Sequence, residues 1–370
     1  MIWLLFLVFL SYTILIVILA IGFIKSEEFT AKKSELKTTF SVIIPFRNEA
    51  KNLPFLLKSI EEIKYPIELV EFLFVNDDSS DNSVKIITKT LPNTKTNIQI
   101  LTNKRVSNSP KKDAITTAIS IAKNEWILTT DADCVLSENW LKSFASFIQK
   151  KAPKMIVAPV NYQVKNTFLE QFQVLDFLSM QGTTIGSFGS NFPFLCNGAN
   201  LGYKKKEFIK LHGFDGNNNI ASGDDIFLFE KFLKADKKNV IYLKSKEAIV
   251  TTFPVKNWTD LVNQRTRWVA KTGNSSSMFM KLIGVLVLLT NFSVVYTLCI
   301  ESLALFLVVF ILKMSIDLLL FWPTIIFFNQ KDSFYKWFAP ASFLYPFFSL
   351  IVLFKSLFFR YKWKGRSFKK

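Results

Sequence analysis

The sequence predicts an α/β fold: a doubly wound, largely parallel sheet, with apolar helices on either side of it along the chain. Three observations carry this. Between Phe40 and Thr130, short apolar runs alternate with stretches of helical periodicity. Polar clusters follow the ends of three of those runs. The segments poorest in charge lie outside this region, at residues 2–24 and from Leu282 onward. That separation also explains the composition. The chain has 370 residues, 50% of them hydrophobic, yet its formal net charge is +17. A soluble domain rarely combines the two, so apolar and basic residues must be segregated.

Residues 2–24 carry no charge. A helix of that length is about 34 Å long, enough for a hydrocarbon core of roughly 30 Å. A signal peptide would have a basic start, a shorter apolar run and a small-residue cleavage site, so an uncleaved anchor is expected. Lys25, Lys32, Lys33 and Lys37 follow it and place the next region, 25–281, in the cytoplasm. The C-terminal block, 282–359, offers three apolar segments: 282–300, 302–322 and 338–359. A basic tail, 360–370, argues for a cytoplasmic end and hence an even number of crossings. The expectation is therefore two to three segments, one of them shallow, or the first two fused into one tilted helix. Lys313 and Asp317 stand four apart, on one helical face, either paired or marking a helix end.

Within 25–281, the run Phe40-Ser41-Val42-Ile43-Ile44-Pro45 reads as a buried strand. Residues 49–63 have apolar positions at helical spacing, 69–75 form a second strand, and 83–91 are helical again. Residues 98–101 form a third strand, 113–123 a helix and 126–130 a fourth strand. In such sheets ligands bind at the carboxyl ends of strands, where this chain places Pro45 to Glu49, Asn76 to Asp81, and Asp131 to Asp133. There is no GxGxxG or P-loop sequence, so a mononucleotide held by side chains and a metal is expected.

Asp131-Ala132-Asp133 ends the fourth strand. Carboxylates two apart beyond a strand end can both reach a hard cation, Mg²⁺ or Mn²⁺, whose remaining positions take water and diphosphate oxygens; the competing reading is an Asx-type turn. Asp77, in Asn76-Asp77-Asp78-Ser79-Ser80-Asp81, can accept from a base N–H or belong to a helix cap. Asp224 and Asp225 precede an apolar stretch and suit a general base for a hydroxyl, or again an N-cap. Gln264-Arg265-Thr266-Arg267-Trp268 holds two of the chain's six Arg within three residues. Their forks suit phosphate oxygens, and an interfacial Arg/Trp belt is the alternative.

In this order the motifs resemble membrane-bound glycosyltransferases of family 2, inverting and of the GT-A type. The matching pieces are Ser41 to Glu49, Val75 to Asp81, Asp131 to Asp133, Cys196-Asn197-Gly198-Ala199-Asn200, Gly223-Asp224-Asp225 and Gln264 to Trp268. The tail Trp363-Lys364-Gly365-Arg366 is similar to one seen in bacterial members. The resemblance implies that Pro45 and Glu49 line a nucleotide pocket and that Asp77 contacts the base. Lys112 lies near the nucleotide, with Pro110 where the family has Gly. Asp131 faces ribose and diphosphate, and Asp133 the metal. Asp225, beside Asp224, is the general base. Asn197 and Gly198 lie on the acceptor side, and Gln264, Arg265, Arg267 and Trp268 hold the leaving diphosphate and acceptor edge. Asn76 replaces the first of the family's paired Asp, and Asp224 stands where Glu is frequent. The implied partners are a nucleotide sugar, often UDP-linked, a lipid or lipid-linked acceptor and the bilayer.

A processive polysaccharide synthase with an export channel is the alternative, weakly opposed by the small helix count. A transporter would carry ionisable groups within its spans, and only Glu301, Lys313, Asp317 and Lys355 qualify. The lysines are scattered, so the charge fits anionic lipid better than nucleic acid. With one His and three Cys, a Ser-His-Asp triad or Cys-His dyad could use only His212, which sits by a turn and reads as a packing residue. Cys196 reads as a wall residue, and Phe188, Phe192 and Phe194 as a lipid-facing lip.

Overall fold

A computed structural model of the chain describes residues 2–359 apart from 33–34, 165–166, 218–219, 221–222 and 275–276, with the backbone of 361–363 and 366–368. Lys33 and, in the basic tail, Arg360, Lys364, Gly365, Lys369 and Lys370, cited above, lie outside the described residues. The elements run α1 (Ile2–Lys25), β1 (Phe40–Phe46), α2 (Leu53–Glu61), β2 (Val70–Asn76), α3 (Ser83–Thr90), β3 (Ile98–Thr102), α4 (Pro110–Ile121) and β4 (Trp126–Thr129). They continue with β5 (Cys134–Val135), α5 (Trp140–Lys151), β6 (Met155–Val157), β7 (Val160–Tyr162), α6 (Phe168–Gly189), β8 (Leu201–Lys204), α7 (Lys205–Lys210), α8 (Asp224–Asp236), β9 (Val240–Tyr242) and β10 (Val250–Thr252). The last are α9 (Trp258–Asn274), α10 (Met278–Ile300), α11 (Leu303–Phe327), α12 (Lys331–Phe358) and a two-stranded ribbon, β11 (Tyr361–Trp363) with β12 (Arg366–Phe368).

The chain divides into two compact units. The sheet unit comprises Glu28–Asn161 and Cys196–Phe253; the helical unit comprises Met1–Glu27, Tyr162–Leu195 and Pro254–Lys370. The second thus includes α6 and α9 with the long apolar helices.

In the sheet unit, seven strands run in the order β3-β2-β1-β4-β8-β6-β9. The first four are parallel, and β8 is antiparallel to both neighbours. Strand β1 pairs with β2 on one edge and β4 on the other, and nearly all its residues, those pointing to either face, are buried. This is why it reads as a continuous apolar run rather than an alternating one. Phe40, Val42, Ile43 and Ile44 are fully buried, each contributing about 1.5–3 kcal/mol. Glu71 is buried on β2 with both a hydroxyl and an amide bonded to it: Ser41 Oγ donates at 2.6 Å and the Lys123 amide at 2.7 Å. The strand order changes direction between β1 and β4, and a topological switch of this kind opens a crevice at the strand carboxyl ends. A small sheet, β5-β10-β7, follows β4. There Thr252 Oγ1 donates to the Asp133 carbonyl at 3.2 Å and fixes the backbone after the Asp131-Ala132-Asp133 turn.

In the helical unit, α1 and α6 touch through glycines. A Cβ on Gly186 would stand 2.3 Å from the Leu19 carbonyl oxygen, and one on Gly22 would stand 2.1 Å from that of Gly186. Small residues let apolar helices approach closely where lipid gives them no other reason to associate. Ser190 Oγ adds a 2.7 Å bond to the Ile18 carbonyl. Among the described residues four helices are long and apolar enough to cross a membrane: α1, α10, α11 and α12. The fused-helix alternative does not hold: α10 ends at Ile300, and Ser302 caps α11 by accepting from the Leu305 amide. Lys313 and Asp317 are paired at 2.6 Å within α11 rather than marking its end.

Replacing Gly186 with Leu should cost roughly 1–3 kcal/mol or more, because the atoms a side chain would meet are the Leu19 backbone. Thermal melting of the detergent-purified protein should fall by several degrees. Gly284→Ala, whose added Cβ would meet nothing within 4 Å, should leave the midpoint unchanged.

Candidate active site

The sheet unit gathers its acidic residues at the carboxyl ends of β1, β2 and β4 and at the start of α8. After β1, Arg47 Nη1 donates to the carbonyls of Asp77 and Asp78, each at 2.7 Å, tying the first loop to the second. Glu49 is buried: its amide donates to Ser83 Oγ at 2.8 Å, and its carboxylate accepts from Asn52 Nδ2 at 2.7 Å. Pro45 is half-buried near the end of β1.

After β2, Asp77 is buried and its Oδ1 accepts from Arg105 Nε at 2.6 Å and Asn103 Nδ2 at 2.8 Å. Asn76, at the position where the family has an acid, instead closes a turn by accepting from the Ser79 amide at 3.0 Å. Asp81 caps the next helix, accepting from the Ser83 and Ala50 amides. Burial would raise its carboxyl pKa, but those hydrogen bonds outweigh it and hold the group below the usual range.

The decisive contact lies between β4 and α8. Lys111 Nζ stands 2.7 Å from Asp131 Oδ1 and 3.2 Å from Asp224 Oδ2. Burial pulls this ammonium towards neutrality, but Asp131 and then Asp224 outweigh it, and its pKa rises well above the ordinary lysine value. Lys112, expected near the nucleotide, is instead 1% exposed, and its Nζ donates to the carbonyls of Asn217 at 2.6 Å and Ile220 at 2.9 Å. It braces the backbone at Asn217 and Ile220. Helix α4 begins with Pro110, so Lys111 and Lys112 both lie in its first turn and diverge by about 100°.

Asp225 is buried in the first turn of α8. Its Oδ2 accepts from the Gly198 amide at 3.2 Å and its Oδ1 from the Ile226 amide at 2.9 Å. Gly198 packs closely here: a Cβ would stand 3.2 Å from both Asp224 Oδ2 and Asp225 Cβ, a contact those side chains would have to relax by a few tenths of an ångström to accept. Gly223 caps α8 with φ +85°, a left-handed conformation that suits glycine. Asn197 Oδ1 accepts from the Ala199 amide at 3.0 Å, and Thr129 Oγ1 donates to the Gly198 carbonyl at 3.0 Å. These bonds fasten the 197–200 turn to the end of β4.

Asp131 and Asp133 are half-buried oxygen donors. Among the described residues no three His, Cys, Asp or Glu side chains cluster for a metal, so these two carboxylates would need a ligand's oxygens to complete a shell. Their chemistry is that of hard oxygen donors, the kind Mg²⁺ or Mn²⁺ takes, with one oxygen of Asp131 engaged by Lys111 at 2.7 Å. Cys134 is buried beside them. Burial, then the charges of Asp133 and Asp131, push its thiol well above the usual range, leaving it a poor nucleophile.

In the helical unit, α9 carries the Gln264 to Trp268 motif. Arg265 is buried, with its Nε 2.5 Å from Asp176 Oδ2 of α6. It also donates to Gln264 Oε1, and its guanidinium lies over the Trp268 ring, 4.1 Å from the centroid. Arg267, two residues on, points to another side of the helix and is half-buried. Gln173 of α6 clasps the entry to α9, exchanging two 2.9 Å bonds with the Val255 backbone. Two residues at these sites escaped the sequence reading. Lys111 was masked by its twin, although Ser109-Pro110 signals the helix start that would have turned it inward. Arg105 sits in a loop without periodicity.

A family model described as "Glycosyl transferase family 2" matches residues 41–208. A second, "Glycosyl transferase family group 2", matches residues 126–353, more than half of the chain. The chain belongs to glycosyltransferase family 2, with a GT-A-like sheet and long apolar helices. A curated relative, the poly(ribitol-phosphate) beta-N-acetylglucosaminyltransferase TarS of Staphylococcus aureus, is 31% identical over 111 residues, 30% of this chain. The match spans 19% of that relative's length. Among solved structures, the mannosyltransferase PcManGT from Pyrobaculum calidifontis, in complex with GDP-Man and Mn²⁺, superposes with a TM-score of 0.62 at 13% identity. It covers 96% of this chain and 97% of its own. The structure of S. aureus TarS 1–349 with UDP-GlcNAc gives a TM-score of 0.45 at 14% identity, over 90% of this chain and 97% of its own.

If Lys111 neutralises this cluster, Lys111→Met should lower the melting midpoint by several degrees in the presence of EDTA. Added Mn²⁺ should then raise the midpoint more in the variant than in the wild type. Equal midpoints for both proteins in EDTA would show that Lys111 has no such role.

Proposed function

We propose that the chain transfers one sugar, with inversion, from a nucleoside-diphosphate donor, UDP-linked as is commonest in the family, to a hydroxyl of a lipid or lipid-linked acceptor at the cytoplasmic membrane face. The observation that carries the chemistry is Asp225: a buried carboxylate held by the Gly198 amide, beside the Asp224–Lys111–Asp131 cluster. Support for a lipid acceptor comes from the four long apolar helices and from the basic residues that flank them in sequence.

In this reading Asp225 accepts the proton of the acceptor hydroxyl as its oxygen attacks the anomeric carbon. The anomeric carbon–oxygen bond to the diphosphate breaks in the same displacement, and the nucleoside diphosphate leaves with the electron pair. Asp77, with Arg105 and Asn103 fixing one of its oxygens, takes the base, and Pro45 and Glu49 line the same pocket. Asp131 and Asp133 would hold Mg²⁺ or Mn²⁺, which supplies Lewis-acid stabilisation of the developing diphosphate charge. Lys111 adds a positive charge to that side of the site, and Gln264, Arg267 and Trp268 are assigned to the diphosphate and acceptor edge. Arg265 has its guanidinium engaged by Asp176 and is assigned to holding α9. No protein nucleophile is required. Residues 25–281 then form the cytoplasmic portion and 282–359 the C-terminal membrane segment.

Asp225→Asn should reduce transfer at least about 10³-fold while leaving nucleotide-sugar binding, read by thermal shift, within a factor of two. Near-wild-type turnover would refute the base assignment. Incubation of the wild type with labelled donor and membrane lipid should give a single glycolipid band; a ladder of lengthening products would instead establish a processive synthase.

A further inference from the structure

The helical unit holds a partly open cavity of about 260 Å³ lined by α1, α6, α10, α11 and α12. Its walls are mostly aliphatic and aromatic, with Leu15, Ile283, Val287 and Phe321 among them. Into this apolar space project ionisable and polar groups. Lys313 is 4% exposed and pairs with Asp317 Oδ2 at 2.6 Å, while Tyr12 donates from its hydroxyl to Asp317 Oδ1 at 2.7 Å. A charged pair in the middle of an apolar helix is expensive and, by default, marks a functional site. The second observation is Asn291, on the same cavity wall. It is 1% exposed; its Nδ2 donates to the Val287 carbonyl at 2.9 Å, but its Oδ1 is buried with no hydrogen-bond partner among the described residues. An orphaned buried acceptor is costly unless something donates to it.

We infer that this cavity is a binding site for a lipid that carries a free hydroxyl: the chain of the lipid fills the apolar space, and its hydroxyl-bearing end bonds to Asn291 and Lys313. A hydroxyl both donates and accepts, so one such group satisfies an amide oxygen and an ammonium alike. The walls favour a hydrocarbon chain over a glycan, whose every ring would need polar partners. Phe194, one of the three expected lip residues, lines the cavity and stacks on Phe192 at 6.3 Å, with Phe279 edge-on to both. Asp176 also lines the cavity while its carboxylate holds Arg265 of α9, so the lipid site and the Gln264 to Trp268 motif share one ion pair. On the reading that the acceptor is a lipid, this cavity seats the acceptor's chain.

The test uses the full-length protein in vesicles of neutral phospholipid with a monoacylglycerol probe that bears a diazirine in its chain. Photolysis followed by peptide mass spectrometry should label α10 and α11. Gly284→Leu adds a side chain to the cavity lining at a position where a Cβ meets nothing within 4 Å. It should cut labelling at least tenfold and slow transfer to lipid in proportion, with nucleotide-sugar thermal shifts unchanged. Asn291→Leu should abolish the preference for the probe over its O-methylated analogue. Labelling that ignores both substitutions, or that maps elsewhere, overturns the inference. So does wild-type lipid transfer by Gly284→Leu, a result that would leave the proposed function intact. If the wild type forms no lipid product while the cavity is labelled, it is the lipid-acceptor reading that fails.

Discussion

Several carboxylates must share one crevice of the sheet unit without driving it apart. Two like charges about 4 Å apart repel by roughly 4 kcal/mol at an effective dielectric of about 20, a large fraction of the stability of a typical domain. Lys111 makes the arrangement tolerable. One ammonium meets both Asp131, which follows β4, and Asp224, which begins α8. It comes from the first turn of α4, so three elements far apart in sequence meet at a single charge. Gly198 adds to the arrangement: its amide bonds Asp225, and a Cβ there would be a tight fit against Asp224 and Asp225. The site is thus set by charge balance more than by any single reactive side chain.

The helical unit solves a different problem with related means. Its long helices are apolar, yet α6 and α9 carry buried polar residues such as Gln171, Gln173, Asp176 and Arg265. These groups are matched to one another: Asp176 to Arg265, Gln173 to the Val255 backbone, Lys313 to Asp317 and Asp317 to Tyr12. A buried ion pair is not in itself a strong source of stability, because desolvation opposes the attraction. What such pairs supply here is position, fixing α9 against α6 and α11 against α1.

Much of this was legible in the sequence, for physical reasons that differ from place to place. The strands β1, β2 and β4 were readable because they are buried, and these and the half-buried edge strand β3 each end in polar loop residues, which are recognisable without knowledge of tertiary contacts. The acidic motifs were readable for the same reason, since an Asp beyond a parallel strand points to the crevice whatever surrounds it. The small sheet β5-β10-β7 was not, because strands of two or three residues carry no period. Nor was the grouping of α6 and α9 with the long apolar helices, because their polar residues find partners only in the folded unit. The exchange of Lys111 for Lys112 shows the limit most clearly. Adjacent identical residues differ only in where the helix begins, and a one-residue error about that start turns a cluster ligand into a brace. Asn291 was equally silent, since an unsatisfied acceptor exists only once its neighbours are known.

The central claim is a single displacement driven by Asp225 with no covalent intermediate on the protein. The stereochemistry of the product tests it most directly. Proton NMR of the glycosylated product, formed from an α-linked nucleotide sugar, should show a β-anomeric linkage from the first turnovers. An α-linked product would mean net retention, and with it a mechanism that this arrangement of carboxylates does not provide.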